Sequence, residues 1–307
     1  MSASRQNRDP ANRESRVTVS DLRTKKRSGE PIVMVTAYDF PSAQVSEHAQ
    51  VDVVLVGDTA AMTVLGYPGT EPVSVEEMLM LARAVRRGLQ TPLLVGDLPM
   101  GSYEASDELA VWSAQRFVKE AGCDVVKLEG DGSSVSRARA IVSSGIGMMG
   151  HLGLTPQTRT ALGGFRTQGK TADGAARIVR GAQELQQAGC FALVLEAVPA
   201  QVAAFITRRL EIPVIGIGAG AGTDGQVLVF NDLLGIFDAF KPKFVKRYAE
   251  LRPVMEDALG RYASDVRQRR FPTGMHTYDI PAKELARFRE TLAQFAGTSE
   301  PTMGEQP

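Results

Sequence analysis

Short apolar runs bounded by turn residues recur along the chain and alternate with longer stretches of helical pattern. Residues 32–37, 53–56, 93–96, 125–128, 147–149, 192–195, 213–217 and 226–230 read as eight buried strands. Ser20 caps a helix to about residue 27, and Ser74 with Glu77 forms a capping box for a helix to about residue 87. Further helices are predicted over 106–120, stopped by Gly122, and over 135–143 and 172–188; Pro199 opens another. This alternation predicts a parallel sheet. A closed (β/α)8 barrel is favoured over an open sheet, because acids close strands 2, 3, 4 and 6 instead of clustering at one switch point. The predicted organisation is a tail over 1–17, one barrel domain with an N-terminal helix and C-terminal helices over 18–296, and a tail over 297–307. The C-terminal helices, about 245–295, pack outside the barrel or onto a neighbour. The Gly-rich stretch 151–170 reads as a long loop, either a lid over a site or a disordered segment.

Composition narrows the function. The 307 residues carry 35 basic and 35 acidic side chains, so no net field favours nucleic acid or an anionic membrane. The apolar runs are far shorter than a membrane span. The first residues have no apolar signal region, and Asp9, Pro10 and Glu14 interrupt any basic presequence helix, so a cytoplasmic protein is expected. Cys123 and Cys190 each follow an Ala-Gly pair and precede a strand, which predicts buried thiols at the barrel bottom and no disulfide.

The chemistry lies at the strand ends. Leu-Val-Gly-Asp occurs at 55–58 and again at 94–97, and Ala-Gly-Cys opens two similar stretches, 121–129 and 188–196, that both end in Glu. Asp58, Asp97, Glu129 and Glu196 therefore converge on the C-terminal mouth, where barrel enzymes keep their active sites. Either aspartate alone fits a helix N-cap. The repetition beside a third acid favours a hard divalent cation held between them. Lys127 and Glu129 leave the same strand face, as a structural ion pair or as a ligand for a substrate carboxylate or keto oxygen and a contributor to the metal shell, directly or through water. Glu196, among apolar neighbours, is the candidate general base or a helix cap. His151, immediately after strand 5, is either a structural histidine or, as its strand-end position favours, part of the substrate-binding site. Gly216, Gly218, Gly220 and Gly222 tempt a dinucleotide reading, but the chain turns straight into another strand instead of a helix. Close packing at the rim is expected there, with a phosphate or pterin nearby as the alternative.

Together these stretches resemble the ketopantoate hydroxymethyltransferase family. The resemblance rests on Val-Gly-Asp-Thr at 56–59, Asp-Leu-Pro at 97–99, Val-Lys-Leu-Glu-Gly at 126–130 and His-Leu-Gly-Leu-Thr-Pro-Gln at 151–157. It continues with Leu-Glu-Ala-Val-Pro at 195–199, Ile-Pro-Val-Ile-Gly-Ile-Gly-Ala-Gly at 212–220 and Thr-Asp-Gly-Gln at 223–226. It implies a Mg2+-dependent barrel of the phosphoenolpyruvate/pyruvate superfamily type, assembled as a homodecamer. The implied reaction moves a hydroxymethyl group from 5,10-methylenetetrahydrofolate to 3-methyl-2-oxobutanoate, giving ketopantoate for pantothenate synthesis. It implies metal binding by Asp58, Asp97 and Glu129, ketoacid binding by Asp58, Thr59, Asp97 and Lys127, and Glu196 as base; folate-binding residues are not assigned. Departures from the family pattern fall at Thr59, Ala60-Ala61, Asp131, Asn231 and Gly274-Met275-His276. A Mg2+-dependent C–C lyase or phosphonopyruvate-type mutase, and an inactive scaffold, are the competing readings.

Overall fold

A strand buried on both faces needs apolar side chains on both, and the eight runs supply them. In the computed structural model, which describes residues 15–161, 163–238 and 242–296, they form β1 (Ile32–Thr36), β2 (Val53–Val56), β3 (Leu93–Asp97), β4 (Val125–Lys127), β5 (Gly147–Gly153), β6 (Ala192–Glu196), β7 (Val214–Ile217) and β8 (Gly225–Leu228). Each pairs in parallel with the next, and β8 pairs with β1, closing the barrel. Period-two alternation sorts the side chains. Val53, Leu55, Val95, Val125, Met149 and Val194 pack inside the barrel. Their neighbours Val54, Val56, Leu94, Val126, Met148 and Leu193 pack outward against helical residues such as Leu79, Phe117 and Leu185.

Helices return the chain between strands. They are α1 (Val19–Ser28), α2 (Phe40–His48), α3 (Ala60–Thr63), α4 (Val75–Gly88), α5 (Asp107–Ala121), α6 (Ser133–Ser143), α7 (Ala172–Gln187), α8 (Ala200–Arg209) and α9 (Phe230–Leu233). The Ser74–Glu77 capping box forms as expected, and Gly122 ends α5 in the left-handed conformation. The segment between β7 and β8 has no helix. α1 closes the bottom: its Leu22, with Val17, joins the interior cluster. Residues 16 and 17, expected in the tail, are therefore held, with the Val17 N–H donating to Thr91 O and Arg16 pairing with Asp124 at 3.0 Å. The remainder of that expected tail, 1–14, and the expected tail 297–307 lie outside the described residues.

Other boundaries moved for physical reasons. β5 runs to Gly153 instead of stopping at residue 149, because His151 continues the inward alternation although it is polar. β8 ends at Leu228, and Phe230 starts α9 once its N–H donates to Thr36 Oγ1. α2 gives no amphipathic signal; the Asp39–Ser42 capping box and Pro41 in its first turn start it. One compact unit runs to Leu251 and a second begins at Arg252. The second, read from sequence as part of a single domain, carries α10 (Leu251–Arg267) onward from that residue and α11 (Ala282–Ala296), with Leu259, Tyr262, Phe288 and Leu292 exposed. Among the described residues no helix is long and apolar enough to cross a membrane.

Both cysteines are buried and free at the N-terminal ends of their strands, as expected, and burial pushes each thiol up to about 12. Thiolate is the reactive form. At pH 8 the native protein should therefore resist an aromatic disulfide reagent, and both thiols should react promptly in urea. Fast labelling of the native protein would contradict this packing.

Candidate active site

The inward register that fills the barrel also places the charges. On β3, Val95 points inward, so Asp97 does too; on β4, Val125 is followed by Lys127 and Glu129; on β5, Met149 by His151; on β6, Val194 by Glu196. The two Leu-Val-Gly-Asp copies do not sit alike. Leu55 pairs with Val95, not with Leu94, so the copies are one residue out of step and Leu55 points inward where Leu94 points outward. Asp97 reaches the mouth from within its strand, while Asp58 reaches it beyond β2 through the turn at Gly57. The Asp58 N–H then donates to Asp97 Oδ2 at 3.1 Å.

Asp58, Asp97, Lys127, Glu129 and His151 are all 3% exposed or less, so their charges must be balanced locally. Lys127 Nζ lies 2.7 Å from Asp97 Oδ1 and 3.8 Å from Glu129 Oε1. His151 bridges two acids, with Nδ1 3.1 Å from Glu129 Oε1 and Nε2 3.4 Å from Glu196 Oε2. Burial and then Lys127 act to lower the His151 pKa, but Glu129 and Glu196 outweigh them and hold it up at about 9, so the ring is charged at neutral pH. Burial also opposes the Lys127 charge, but Asp97, Glu129 and Asp58 keep it protonated. Glu129 is held below the usual carboxylate range: burial acts to raise it, but His151, Lys127 and the Gln157 N–H prevail. Asp58 goes the other way, well above that range, through burial and then repulsion from Asp97 and Glu129.

Gln157, quoted in the sequence motif without a role, organises this cluster. Its Nε2 donates to Asp58 Oδ2 at 3.0 Å and to Leu98 O, its N–H donates to Glu129 Oε2 at 3.1 Å, and its Oε1 accepts from the Tyr103 hydroxyl at 2.6 Å. A glutamine does not titrate, and the short 3-10 turn Pro156–Thr158 that aims it, buried at Pro156 and Gln157 and exposed at Thr158, has no hydrophobic period to mark it in the sequence.

Among the described residues, no group of three or more His, Cys, Asp or Glu side chains is arranged to hold a metal ion by itself. Glu129 spends its oxygens on His151 and Gln157. Asp58 and Asp97 remain as a pair, and Asp97 Oδ1 faces the Lys127 charge without an aligned hydrogen bond. Two hard carboxylates with incomplete neutralisation are a donor set that suits a small divalent cation completed by water or a ligand.

A small cavity of about 40 Å3 lies over Asp58, Asp97, Lys127, Glu129 and His151, and Thr59 and Glu196 also line it. It shares Thr59, Pro156, Glu196, Ile217 and Val229 with a larger cleft of about 330 Å3. Glu196 thus stands where the two spaces meet. Ala197, which follows it, has a left-handed φ of 49°, a strained conformation for a non-glycine residue that re-aims the chain at the rim. The glycine run is close packing, as expected: a Cβ at Gly220 or Gly222 would meet Ala200 or Ala204 of α8, and one at Gly218 would strike the Phe244 ring at 2.6 Å. Of the departures, Ala60 and Ala61 are buried in the sheet–helix core, Asp131 is exposed, and Asn231 donates to Thr63 O, so none of these enters the small cavity.

Fold and mouth together define a (β/α)8 barrel with its charged residues gathered at the C-terminal ends of the strands. The chain overlays phosphonopyruvate hydrolase, solved with oxalate and Mg2+, at a TM-score of 0.56 and 12% identity, covering 91% of this chain and 96% of that one. It overlays 2,3-dimethylmalate lyase, a PEP mutase/isocitrate lyase superfamily member, at 0.52 and 14%, covering 92% and 98%. Sequence is more specific. Residues 16–274 match the family model for ketopantoate hydroxymethyltransferase. The chain is 52% identical to the mitochondrial 3-methyl-2-oxobutanoate hydroxymethyltransferase 1 of Oryza sativa subsp. japonica, over 90% of this chain and 78% of that one. It is 51% identical to 3-methyl-2-oxobutanoate hydroxymethyltransferase of Moorella thermoacetica, over 86% and 98%. The chain belongs to the ketopantoate hydroxymethyltransferase family, a family of transferases.

Removing the Gln157 amide strips one buried donor from Asp58 and one from Leu98 O, and leaves the Tyr103 hydroxyl only the longer bond to Glu129 O at 3.4 Å. Gln157→Leu should lower stability in urea by about 1–3 kcal/mol. Gln157→Glu, which sets another carboxylate beside Asp58, should cost at least as much when measured with chelator present. Wild-type stability in both variants would remove Gln157 from its organising place.

Proposed function

We propose that the chain makes 2-dehydropantoate (ketopantoate) by hydroxymethylating 3-methyl-2-oxobutanoate, with 5,10-methylenetetrahydrofolate as the one-carbon donor. The observation that carries the reading is the convergence of Asp58, Asp97, Lys127, Glu129, His151 and Glu196 on one cavity, in a chain about half identical to enzymes named for this ketoacid. Asp58 and Asp97 would hold Mg2+, with Glu129 behind them through water and through its pairing with His151. When bound, the cation supplies Lewis-acid stabilisation to the keto oxygen as negative charge develops there.

The protein's own groups do the rest. Lys127, buried and charged, and the Thr59 hydroxyl, which lines the cavity, orient the ketoacid carboxylate. Glu196 takes the C3 proton from its place at the junction of the two cavities. His151, 3.4 Å from Glu196, holds that carboxylate in place and lines the cavity that would take the ketoacid. The larger cleft is the approach for the one-carbon donor. Assembly as a homodecamer is proposed from the family resemblance.

Glu196→Gln should lower formation of 2-dehydropantoate by about 10²–10⁴-fold and stop deuterium exchange at C3 of the ketoacid, while the ketoacid still binds. Exchange at the wild-type rate would exclude Glu196 as the base. A wild type that turns over 3-methyl-2-oxobutanoate with no folate donor would exclude the transferase reading.

A further inference from the structure

Asp232 is a buried acid that the proposed chemistry does not use. It lies on α9, which follows β8 and is pinned by the hydrogen bond from Phe230 N–H to Thr36 Oγ1. The residue is 8% exposed, yet it lines the larger cleft. Among the described residues its carboxylate makes no hydrogen bond or ion pair. Arg247 attracts it, but that guanidinium pairs with Glu250 at 2.9 Å and donates to Phe237 O. Burial raises the Asp232 carboxyl to about 6, so it is mainly ionised at neutral pH. A largely buried carboxylate that opens on a cleft with no protein donor leaves its hydrogen bonds to water or to a ligand, and a ligand with matching N–H groups takes the place of that water.

The rest of the cleft says what kind of ligand. Phe237 and Phe244 present aromatic surface, and Gly218 is bare so that the Phe244 ring can lie against the β7 rim. Arg166 and Lys243 are exposed cations at its edge. At its inner end the cleft opens onto Glu196 and Thr59. The complement is a flat heterocycle with two parallel N–H donors on one edge and an anionic tail on the other side. A carboxylate accepts such a donor pair in the bidentate geometry it uses with guanidinium. The 2-amino-4-oxopyrimidine edge of a pterin has that pair, and the glutamate of a folate is such a tail.

We propose that Asp232 is the pterin anchor of the folate site, with Phe237 and Phe244 as its aromatic walls and Arg166 and Lys243 receiving the tail. This rests on the folate-donor reading above and assigns residues to it. Anchoring at Asp232 sets the reactive carbon of the donor toward Glu196, where the ketoacid carbon is generated. Asp232 positions the co-substrate and takes no part in proton removal.

The test is calorimetric binding of tetrahydrofolate to the full-length protein in the presence of Mg2+ and 3-methyl-2-oxobutanoate. Asp232→Asn presents an amide N–H where the pterin also presents N–H, and should weaken tetrahydrofolate binding tenfold or more. KM for the methylene donor should rise in step, and ketoacid affinity in the same sample reports whether the mouth is intact. Phe244→Leu, a separate variant, should weaken tetrahydrofolate severalfold. Unchanged tetrahydrofolate affinity in Asp232→Asn, with a wild type that binds it, would overturn the proposal and leave the transferase reading standing. A wild type that binds no tetrahydrofolate would overturn both.

Discussion

The constraint on which this mouth depends is the burial of like charges around Lys127. Three carboxylates, Asp58, Asp97 and Glu129, are withdrawn from water within the field of one ammonium. Separation in the low-dielectric interior is expensive for any charge left alone, and pairing recovers only part of the cost. The chain divides its acids accordingly. Glu129 takes His151 and the Gln157 N–H and is comfortable as an anion. Asp58 and Asp97 share what remains and are pushed above their ordinary range, Asp58 the further. That imbalance is a place prepared for positive charge.

The barrel makes the imbalance tolerable by separating packing from chemistry along one axis. Below, the interior is filled by aliphatic side chains, and α1 with Val17 and Leu22 seals the end. Above, the same inward register turns polar within a residue or two. Stability is therefore carried by layers that need not change when the mouth binds or releases ligand. The close approaches that the helices need are met by glycine: a Cβ at Gly96 would lie 2.4 Å from the Phe117 ring, and one at Gly150 would lie 2.9 Å from Leu185.

Much of this was legible in the sequence because burial and alternation leave marks in residue type. The eight apolar runs gave the barrel, and strand-end acids gave the mouth. Repetition was a less faithful guide than it looked. Leu-Val-Gly-Asp recurs letter for letter, yet the copies sit one residue out of register and present opposite faces, because strand pairing, not the local string, fixes the phase. Gln157 and Asp232 were invisible as site residues. One is neutral and acts through four hydrogen-bonding partners drawn from distant segments. The other looks like any acid in a short helix until a cleft assembled from five loops surrounds it. α2 was hidden because capping and a proline start it without a hydrophobic stripe.

The central claim is that the Asp58–Asp97 pair lacks positive charge and takes it from a divalent cation. Thermal unfolding followed from chelator through rising Mg2+, without ketoacid or folate, tests it directly. A ligand that binds only the folded state stabilises it in proportion to the logarithm of its concentration above Kd. The wild-type midpoint should climb with Mg2+, and the Asp58→Asn, Asp97→Asn double variant, whatever its midpoint under chelator, should show no climb. A wild-type midpoint indifferent to Mg2+ would contradict the account.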